Sequence, residues 1–511
     1  MDFLRTFSGV VDRSRLIGGE DLSVYEPCTT GAVRTIVGAI RPVNAEEIQK
    51  IIEISRRHKV KLYPLSAGRN WGYSDSMPAT DDNVIVDLSL MKDIRNYDPE
   101  MGTITVEPGV TQQQLADFLM THGGRHIISV TGSSPEASII GNYLERGFGL
   151  LPIMDHAYSV LSLEAVTGAG EIYRSPLLSC GADKSASLFR WGVGPYTDGL
   201  FFQSSWGIVT QMTIRLSKRA QDTQVCFIEL ASSQMLDGAL PLLRDLREDW
   251  PLESLQIKIL NGYYTLTSMG IKHKACANHD LYQKLLVENR VPPYTIMISF
   301  SGAHSLTKSM ACHVLRKFPF SSKTTVLNRH LITLTRIVSR FVPAQLKTKI
   351  RSAEDLWSLM QGKPSKAMIG KIPYFRMDDT VGLSLENPAH DGCGIIWFAI
   401  SLPLASQGIS FFENLGAYAH KNFGFSPIIN FTNYQHSSCI GLLAIVYNKD
   451  TEVEAAQRCY FDLMNQAQAE GYFPYRLPLF AAQKFFSDNP LALNRHLEKI
   501  LDPDQVFSRQ C

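Results

Sequence analysis

The sequence predicts an α+β fold divided into two domains, and two observations lead to this expectation. Over about the first 220 residues, short strand patterns and capped helices alternate at close spacing, whereas after about Ser217 long helical stretches with fewer glycines separate the strands. A chain of 511 residues with 45% hydrophobic and 19% charged residues is long enough for two large cores. This composition excludes a disordered chain, a collagen-like repeat and a coiled coil.

Two capping boxes mark the predicted helices of the first half. Asn44 and Glu47 have the spacing of such a box, and the isoleucines that follow recur at helical spacing. Thr111 and Gln114 form the second box, before a helix that a glycine pair ends. Apolar or alternating patterns predict strands at residues 60–65, 83–88, 102–106, 224–230 and 295–301.

Charge and cysteine content exclude several classes of protein. The 50 basic and 49 acidic residues leave a net charge of +1, so we expect no long-range attraction to nucleic acid or to an anionic membrane. The nine cysteines include no CxxC pair, which indicates neither a disulfide framework nor a zinc ribbon. The first residues are charged where a signal peptide is apolar, and no apolar run approaches membrane-spanning length. We therefore expect a cytoplasmic protein.

The most suggestive motif is the loop at residues 66–73, which follows a predicted strand. Its two glycines and small residues let backbone N–H groups approach a phosphate, although an ordinary turn is the commoner explanation of a lone glycine-rich loop. The sequence contains no P-loop, dinucleotide fingerprint, zinc-protease motif, nucleophile elbow or EF-hand loop. We therefore expect no metal site and no serine-hydrolase chemistry.

Three further features each have a chemical and a structural interpretation. Residues 141–149 contain three glycines, which suits a backbone pressed against a planar ligand but also suits a turn. Asp155 and His156 can transfer protons, yet such a pair is more often a solvated turn. Tyr475 and Arg476 can hold an oxyanion, although a surface strand explains them better when they are taken alone. The residues by themselves predict a ligand-binding α+β enzyme with a nucleotide-containing cofactor.

Taken together, these segments resemble the FAD-dependent oxidoreductases of the vanillyl-alcohol oxidase and p-cresol methylhydroxylase (PCMH) family. The run at residues 191–210 is the most specific of the matching passages. The passages follow the family order along nearly the whole chain, at residues 63–73, 106–111, 141–152 with Asp155-His156, 191–210, 471–476 and 502–503.

The resemblance implies a PCMH-type FAD-binding domain at residues 1–218 and a substrate-binding cap domain of α+β type at residues 219–470. A C-terminal segment, residues 471–511, would return to the FAD domain. The residues implied to bind FAD are Ser66, Ala67, Gly68, Arg69, Asn70, Gly72, Pro108, Gly109, Gly141, Asn142, Arg146, Gly207 and Ile208.

The resemblance also implies an activity, because members of this family oxidise para-substituted phenols such as 4-alkylphenols and 4-hydroxybenzylic alcohols. Tyr73, Tyr475 and Arg476 would hold the substrate as its phenolate. A hydride would then leave the benzylic carbon for flavin N5 through a quinone methide. Asp155 would accept a proton from the attacking water or from the substrate hydroxyl. In a dry pocket, one guanidinium and two phenol donors can lower a phenol pKa by several units, at about 1.4 kcal/mol each.

Many relatives attach FAD covalently from the cap, and this sequence departs from them. Aligned on Trp397-Phe398, the family's tyrosine position holds Asn387 and its histidine position holds Ile395, neither of which can form the bond. His390 lies between them and is a tether only if the local alignment shifts. We therefore expect non-covalent FAD.

Several alternatives stay open at this point. Dioxygen or an electron-transfer protein can reoxidise the flavin, and a homodimer is possible. A second interpretation keeps FAD but replaces the small phenolic substrate with a non-phenolic hydroxy acid or sugar, which the retained Tyr73, Tyr475 and Arg476 oppose. A third is a non-catalytic flavin-binding scaffold that retains these residues without using them, and the missing tether favours it.

Overall fold

The computed structural model describes residues 3–150, 152–250, 255–276, 278–338, 344–366, 369, 371–377, 380–435, 437–488 and 492–508. The chain divides into two compact units. Unit 1 comprises Met1–Gly149, Asp155–Lys218 and Pro478–Cys511, and unit 2 comprises Leu150–Met154 and Arg219–Leu477.

Unit 1 contains a four-stranded sheet, a five-stranded sheet and a two-stranded ribbon. Its strands are β1 (Leu16–Ile17), β2 (Ile36–Ile40), β3 (Lys61–Leu65), β4 (Asn83–Asp87), β5 (Ile94–Asp98), β6 (Thr103–Val106), β7 (His126–Ile127), β8 (Val160–Thr167), β9 (Ile172–Arg174), β10 (Gly207–Arg215) and β11 (Ser217–Lys218). The first sheet has the order β1-β2-β4-β3, with β4 parallel to both of its neighbours. The second has the order β5-β6-β10-β8-β9 and is antiparallel, and β7 pairs with β11.

Helices surround these sheets and share their core. They are α1 (Phe3–Phe7), α2 (Ala45–His58), α3 (Gln112–Thr121), α4 (Ile139–Leu144), α5 (Pro176–Ser179), α6 (Asp183–Ala186), α15 (Leu479–Asp488) and α16 (Ala492–Leu501). The core of unit 1 joins Ile48, Ile51 and Ile52 of α2 to Val166 of β8 and Ile208 of β10. The helix that the isoleucine spacing predicts is therefore confirmed, and its apolar stripe is the buried one.

The two predicted capping boxes differ in the structure. Thr111 and Gln114 form both reciprocal bonds of the box at the start of α3. At α2, Asn44 accepts from the N–H of Glu47, but the Glu47 carboxylate accepts from Val43 and pairs with Arg15. The second half of that box is thus replaced by an ion pair with a residue distant in the sequence.

Within the C-terminal segment, residues 471–477 belong to unit 2, whereas the chain from Pro478 onward belongs to unit 1 and passes beside β3. Leu62 donates its N–H to the Val506 carbonyl at 2.8 Å and accepts from Ser508 at 3.1 Å. The Asp502 carboxylate closes this turn by accepting from the N–H groups of Val506 and Phe507. Phe507 is consequently buried in the core of unit 1.

Unit 2 is built on a seven-stranded antiparallel sheet of order β15-β12-β14-β13-β17-β18-β16. Its strands are β12 (Asp222–Leu230), β13 (Leu255–Asn261), β14 (Tyr294–Gly302), β15 (Lys323–Leu327), β16 (Cys393–Pro403), β17 (Ile428–Asn433) and β18 (Ser438–Asn448). Its helices are α7 (Ser233–Asp249), α8 (Gly262–Ser268), α9 (His279–Glu288), α10 (His304–Lys317), α11 (Arg329–Val338), α12 (Ala344–Met360), α13 (Ser406–Phe423) and α14 (Val453–Ala469).

One face of this sheet is apolar and is covered by helices. Phe398 of β16 is fully buried there, with its ring centroid 6.2 Å from Phe412 of α13 and 5.4 Å from Tyr460 of α14. In the part of the chain that the structure describes, no helix combines the length and apolarity that crossing a membrane requires.

Gly109 offers a test of how closely two turns of unit 1 approach each other. A Cβ at this position would lie 2.6 Å from the Met91 carbonyl oxygen and 2.8 Å from those of Leu88 and Ser89. Backbone oxygens cannot move aside as a flexible side chain can, so we expect Gly109→Ala to destabilise unit 1 by about 2 kcal/mol or more. Thermal unfolding of the FAD-loaded protein measures this.

Gly132 is the matched control, because a Cβ there meets nothing within 4 Å. We expect Gly132→Ala to change stability by no more than about 0.5 kcal/mol. Equal melting temperatures for the two variants would contradict the close approach at Gly109.

Candidate active site

The loop at residues 66–73, here called the glycine loop, begins directly after β3. Gly68 and Gly72 have φ angles of 61° and 80°, in the left-handed region that favours glycine. A Cβ at Gly68 would also overlap the Ser76 hydroxyl. The glycines that the sequence singles out are therefore required by the backbone itself.

Hydrogen bonds tie down the second half of the glycine loop. The Gly72 N–H donates to the Thr29 hydroxyl at 2.7 Å, and this hydroxyl donates to the Asp75 carboxylate at 2.7 Å. The Asn70 carbonyl accepts from the N–H groups of residues 73, 74 and 75. Within the described residues, the N–H groups of positions 67, 68 and 69 donate to no protein acceptor. A short run of available amides is the arrangement that anion-binding loops use.

A serine hydroxyl connects the other predicted cofactor segments. Ser138 precedes α4 and accepts from the Gly141 N–H at 3.0 Å, while its hydroxyl donates to the Pro108 carbonyl at 2.6 Å. A Cβ at Gly141 would lie 3.5 Å from Ser66. Since Gly109 adjoins Pro108, unit 1 brings three of the predicted cofactor-binding segments together.

The remaining predicted cofactor residues contribute mainly through their backbone. Ile208 is buried in the core, so only its main chain can face a ligand. Gly207, at the start of β10, has no room for a Cβ because the Val166 carbonyl lies 2.9 Å from that position. Arg146 has a φ of 50°, which places its side chain on a sharp turn. The Arg69 guanidinium lies 6.0 Å from the Trp71 ring centroid, and burial lowers its pKa.

Asp155 and His156 separate into different environments. The Asp155 carboxylate accepts from the Tyr158 N–H at 3.2 Å. His156 is buried, is bonded through Nδ1 to the Asn142 side-chain oxygen at 2.6 Å, and is stacked on Tyr143. Burial lowers the pKa of His156 to about 3, so its imidazole is neutral at ordinary pH. The two neighbours do not act as a pair, and Asp155 alone keeps the predicted proton-transfer role.

Tyr475 and Arg476 belong to unit 2, where they follow a bridge to the edge strand β16. Pro474 pairs with Ile400, and the Tyr475 N–H donates to the Ala399 carbonyl at 3.2 Å. Arg476 is 9% exposed, so its charge is held away from water. This segment is therefore anchored by the sheet of unit 2, and the surface strand considered for it is wrong for the buried Arg476.

The positions compared with the family's tether precede or lie within β16. Ile395 is fully buried in the core of unit 2. Asn387 is half-buried, and His390 is exposed before the strand. The expectation of non-covalent FAD stays a prediction, and His390 stays open as a tether if the local alignment shifts.

Sequence reasoning missed residues whose importance depends on distant partners. Thr29 supports the glycine loop from more than forty positions away in the chain, and no local pattern signals this. Ser138 had a signal, since serine three residues before Gly141 has N-cap spacing.

Comparison with known proteins adds independent information. A family model described as an FAD binding domain matches residues 37–175. The chain is 29% identical to 1'-carboxy-chondrochloren decarboxylase of Chondromyces crocatus, over 94% of this chain and 91% of that protein. It is 34% identical to the flavoprotein subunit of 4-cresol dehydrogenase (hydroxylating) of Pseudomonas putida, over 34% of this chain and 33% of that subunit.

Solved structures show the same fold over almost the whole chain. A structure of p-cresol methylhydroxylase with substrate bound matches with a TM-score of 0.85 at 20% identity, covering 99% of this chain and 95% of that one. The 4-ethylphenol oxidase of Gulosibacter chungangensis, in its isoeugenol complex, matches with the same TM-score at 17% identity and the same coverage.

The fold, the glycine loop and these similarities define an FAD-dependent oxidoreductase. Residues 37–175 match the FAD binding domain, the whole chain shares the two-domain fold of p-cresol methylhydroxylase, and the protein binds FAD. Unit 1 fits this cofactor. The amide N–H groups at positions 67–69 can donate to a pyrophosphate, and Gly141, which has no side chain, leaves the backbone open beside Ser66.

The burial of His156 predicts how the stability of the protein depends on pH. Its folded-state pKa of about 3 lies below the ordinary value near 6.5, so below pH 6.5 the unfolded chain binds a proton that the folded chain does not. Stability should therefore fall as the pH drops from 6.5 towards 3. His156→Asn, which is neutral throughout, should flatten this slope by up to about 1.4 kcal/mol per pH unit. Urea unfolding at a series of pH values measures it.

The control is His58→Asn, because His58 is exposed at the end of α2. This variant should keep the wild-type slope. If the slope of His156→Asn also matches wild type, the buried imidazole takes up a proton in the folded state.

Proposed function

We propose that this enzyme oxidises para-substituted phenols at the benzylic carbon. The observation that carries the proposal is the complete set of phenol-binding residues that the family resemblance assigns: Tyr73, Tyr475 and Arg476. Arg476 supports it further, because the structure buries this arginine beside β16 of unit 2, whereas arginines are mostly exposed.

The proposed role of these residues is to bind the substrate as its phenolate. A buried guanidinium is always charged and presents several donors, so it favours a deprotonated oxygen over a neutral one. Two tyrosine hydroxyls would donate to the same oxygen. A phenolate releases electron density to its para position, which makes removal of a hydride from the benzylic carbon easier.

The substrate would then lose a hydride and become a neutral quinone methide. FAD supplies the two-electron acceptor when it is bound. Water adds to the quinone methide of an alkylphenol and gives a benzylic alcohol, whereas a benzylic alcohol loses its hydroxyl proton and gives an aldehyde. We assign Asp155 as the base that takes the proton in either case.

We further propose that Ser66, Gly68 and Arg69 bind the cofactor together with the Pro108-Gly109 and Gly141-Asn142 backbones. The FAD domain would correspond to unit 1 and the cap to unit 2. Dioxygen or an electron-transfer protein would accept the electrons.

A second candidate is an oxidative decarboxylation, which the similarity to 1'-carboxy-chondrochloren decarboxylase along 94% of the chain favours. If the carbon next to the benzylic carbon bears a carboxylate, the quinone methide can release carbon dioxide instead of adding water. The electrons of the broken carbon–carbon bond then form an alkene and restore the phenolate. The same phenol-binding residues serve both reactions, and only the side chain of the substrate differs.

Substitution of Arg476 tests the proposal. The FAD-loaded enzyme is mixed without oxygen with 4-hydroxybenzyl alcohol, and bleaching of the visible flavin band is followed. We expect Arg476→Ala to slow bleaching about 100-fold or more, because the phenolate loses its counter-ion. The 4-methoxybenzyl analogue, which cannot ionise, should bleach neither protein.

Arg458→Ala is the matched control, since Arg458 is an exposed arginine on α14 of the same unit. It should bleach at the wild-type rate. A wild-type enzyme whose flavin is reduced equally by the hydroxy and methoxy compounds would contradict phenolate chemistry.

We also propose that FAD is held without a covalent bond, because Asn387 and Ile395 occupy the compared positions. After denaturation and filtration, we expect the flavin in the filtrate. Flavin retained by the protein in wild type, but released from His390→Ala, would instead identify His390 as the tether.

A further inference from the structure

A continuous row of residues, here called the Lys258 row, crosses the sheet of unit 2 on the face opposite Phe398. Cross-strand pairing connects its members directly, and paired residues of an antiparallel sheet point to the same side. From one edge of the sheet to the other, the row is Ser401, Ile440, Thr432, Lys258, Met297, Phe227 and Thr325. Lys258 is its only charged member.

Lys258 lies on β13 near the centre of the sheet and is half-buried. Its neighbours along the Lys258 row, Thr432 and Met297, are uncharged. In the part of the chain that the structure describes, its ammonium group has no carboxylate partner and no hydrogen-bond acceptor. Burial lowers the pKa of Lys258 to about 8, which still leaves the group mostly charged at neutral pH.

An uncompensated charge at the centre of a sheet costs folding free energy, since the ammonium group loses part of its hydration without gaining a partner. A hydrophobic residue would pack there at less cost. A ligand with a negative charge would give the ammonium group an electrostatic partner. The free energy that the unpaired charge costs on folding would then be recovered when the ligand binds.

The residues beside Lys258 suit a planar anion with two oxygens. Asn430 and Thr432 lie on β17, on the same face of the sheet. The Thr432 hydroxyl donates to the Asn430 side-chain oxygen at 3.4 Å, an orientation that leaves the amide N–H groups of Asn430 as donors. The Lys258 ammonium and the Asn430 amide can each donate to one of the two oxygens of a carboxylate.

We propose that Lys258 binds a carboxylate carried by the para side chain of the substrate. This inference rests on the proposed phenol oxidation and specifies its substrate class. Lys258 would be a specificity-determining residue that recognises the end of the substrate opposite the phenol oxygen.

The sheet sets the span that such a substrate must cover. Three strand spacings separate β16, which anchors Tyr475, from β13, and this amounts to about 14 Å between backbones. The bridged segment that carries Tyr475 and Arg476 lies about one spacing further out. Tyr475 lies opposite Ala399, two residues before Ser401 and therefore on the face of Lys258. After the side chains of Tyr475 and Lys258 are allowed for, a phenol with a side chain of two or three carbons ending in a carboxylate is the class that fits.

The test compares 3-(4-hydroxyphenyl)propanoate with its primary amide on the FAD-loaded enzyme. The amide has nearly the same size but no charge. Dissociation constants are measured by the change each compound causes in the flavin spectrum without oxygen, and the ratio of amide to carboxylate is compared between variants. We expect Lys258→Met to lower the preference for the carboxylate about 10- to 100-fold.

Two further variants make the result specific to the charge. Lys258→Arg keeps the positive charge and should retain part of the preference, even if Lys258→Met proves poorly folded. Lys323→Met is the matched control, because Lys323 is an exposed lysine on the same sheet that lies 3.9 Å from Glu229. It should leave the ratio at the wild-type value.

The outcomes separate this inference from the proposed function. If the Lys258 variants weaken binding of the carboxylate and of the amide equally, or leave the binding of both unchanged, the carboxylate assignment is wrong. This holds even when the phenol reduces the flavin. If the preference collapses in Lys258→Met while neither compound reduces the wild-type flavin, the carboxylate site stands and phenol oxidation is wrong. A preference unchanged in both Lys258 variants overturns the inference directly.

Discussion

The hydrogen bond from the Ser138 hydroxyl to the Pro108 carbonyl holds two of the predicted cofactor-binding segments of unit 1 together. The same oxygen accepts from the Gly141 N–H, so it joins the start of α4 to the turn that contains Gly109. Gly109 in turn approaches three backbone carbonyls too closely for any side chain. These two constraints bring segments from distant parts of the chain beside the glycine loop, and they do so through backbone atoms, which suits a cofactor bound mainly by amides.

Burial changes what the polar residues of both units can do. His156 is enclosed and bonded to Asn142, so its pKa falls and it supports the fold as a neutral ring. Arg476 is also buried, but a guanidinium does not give up its proton in a protein. The first residue therefore loses the acid–base role that its sequence position suggests, and the second gains the capacity to stabilise an anion.

The two faces of the sheet in unit 2 differ in the residues that surround their side chains. The apolar face is sealed by α13 and α14 around Phe398, as in an ordinary hydrophobic core. On the opposite face, the charged Lys258 lies among uncharged neighbours. Its ammonium group loses hydration on folding, and packing contacts do not compensate for that loss of free energy. An unpaired positive charge at this position is explained if a bound ligand supplies the negative charge.

The sequence by itself determined the local features of this protein. The capping box at Thr111, the helix of isoleucines after Asn44 and the glycines of the loop depend on neighbours within a few residues, and the structure has all three. Only the tertiary structure decided that Glu47 pairs with Arg15, that Thr29 supports Gly72 and that Lys258 stands alone in its row. The reason is that these relations depend on strand register and on contacts between distant segments. Hydrophobic spacing specifies which side of an element is buried, but not which polar groups meet there.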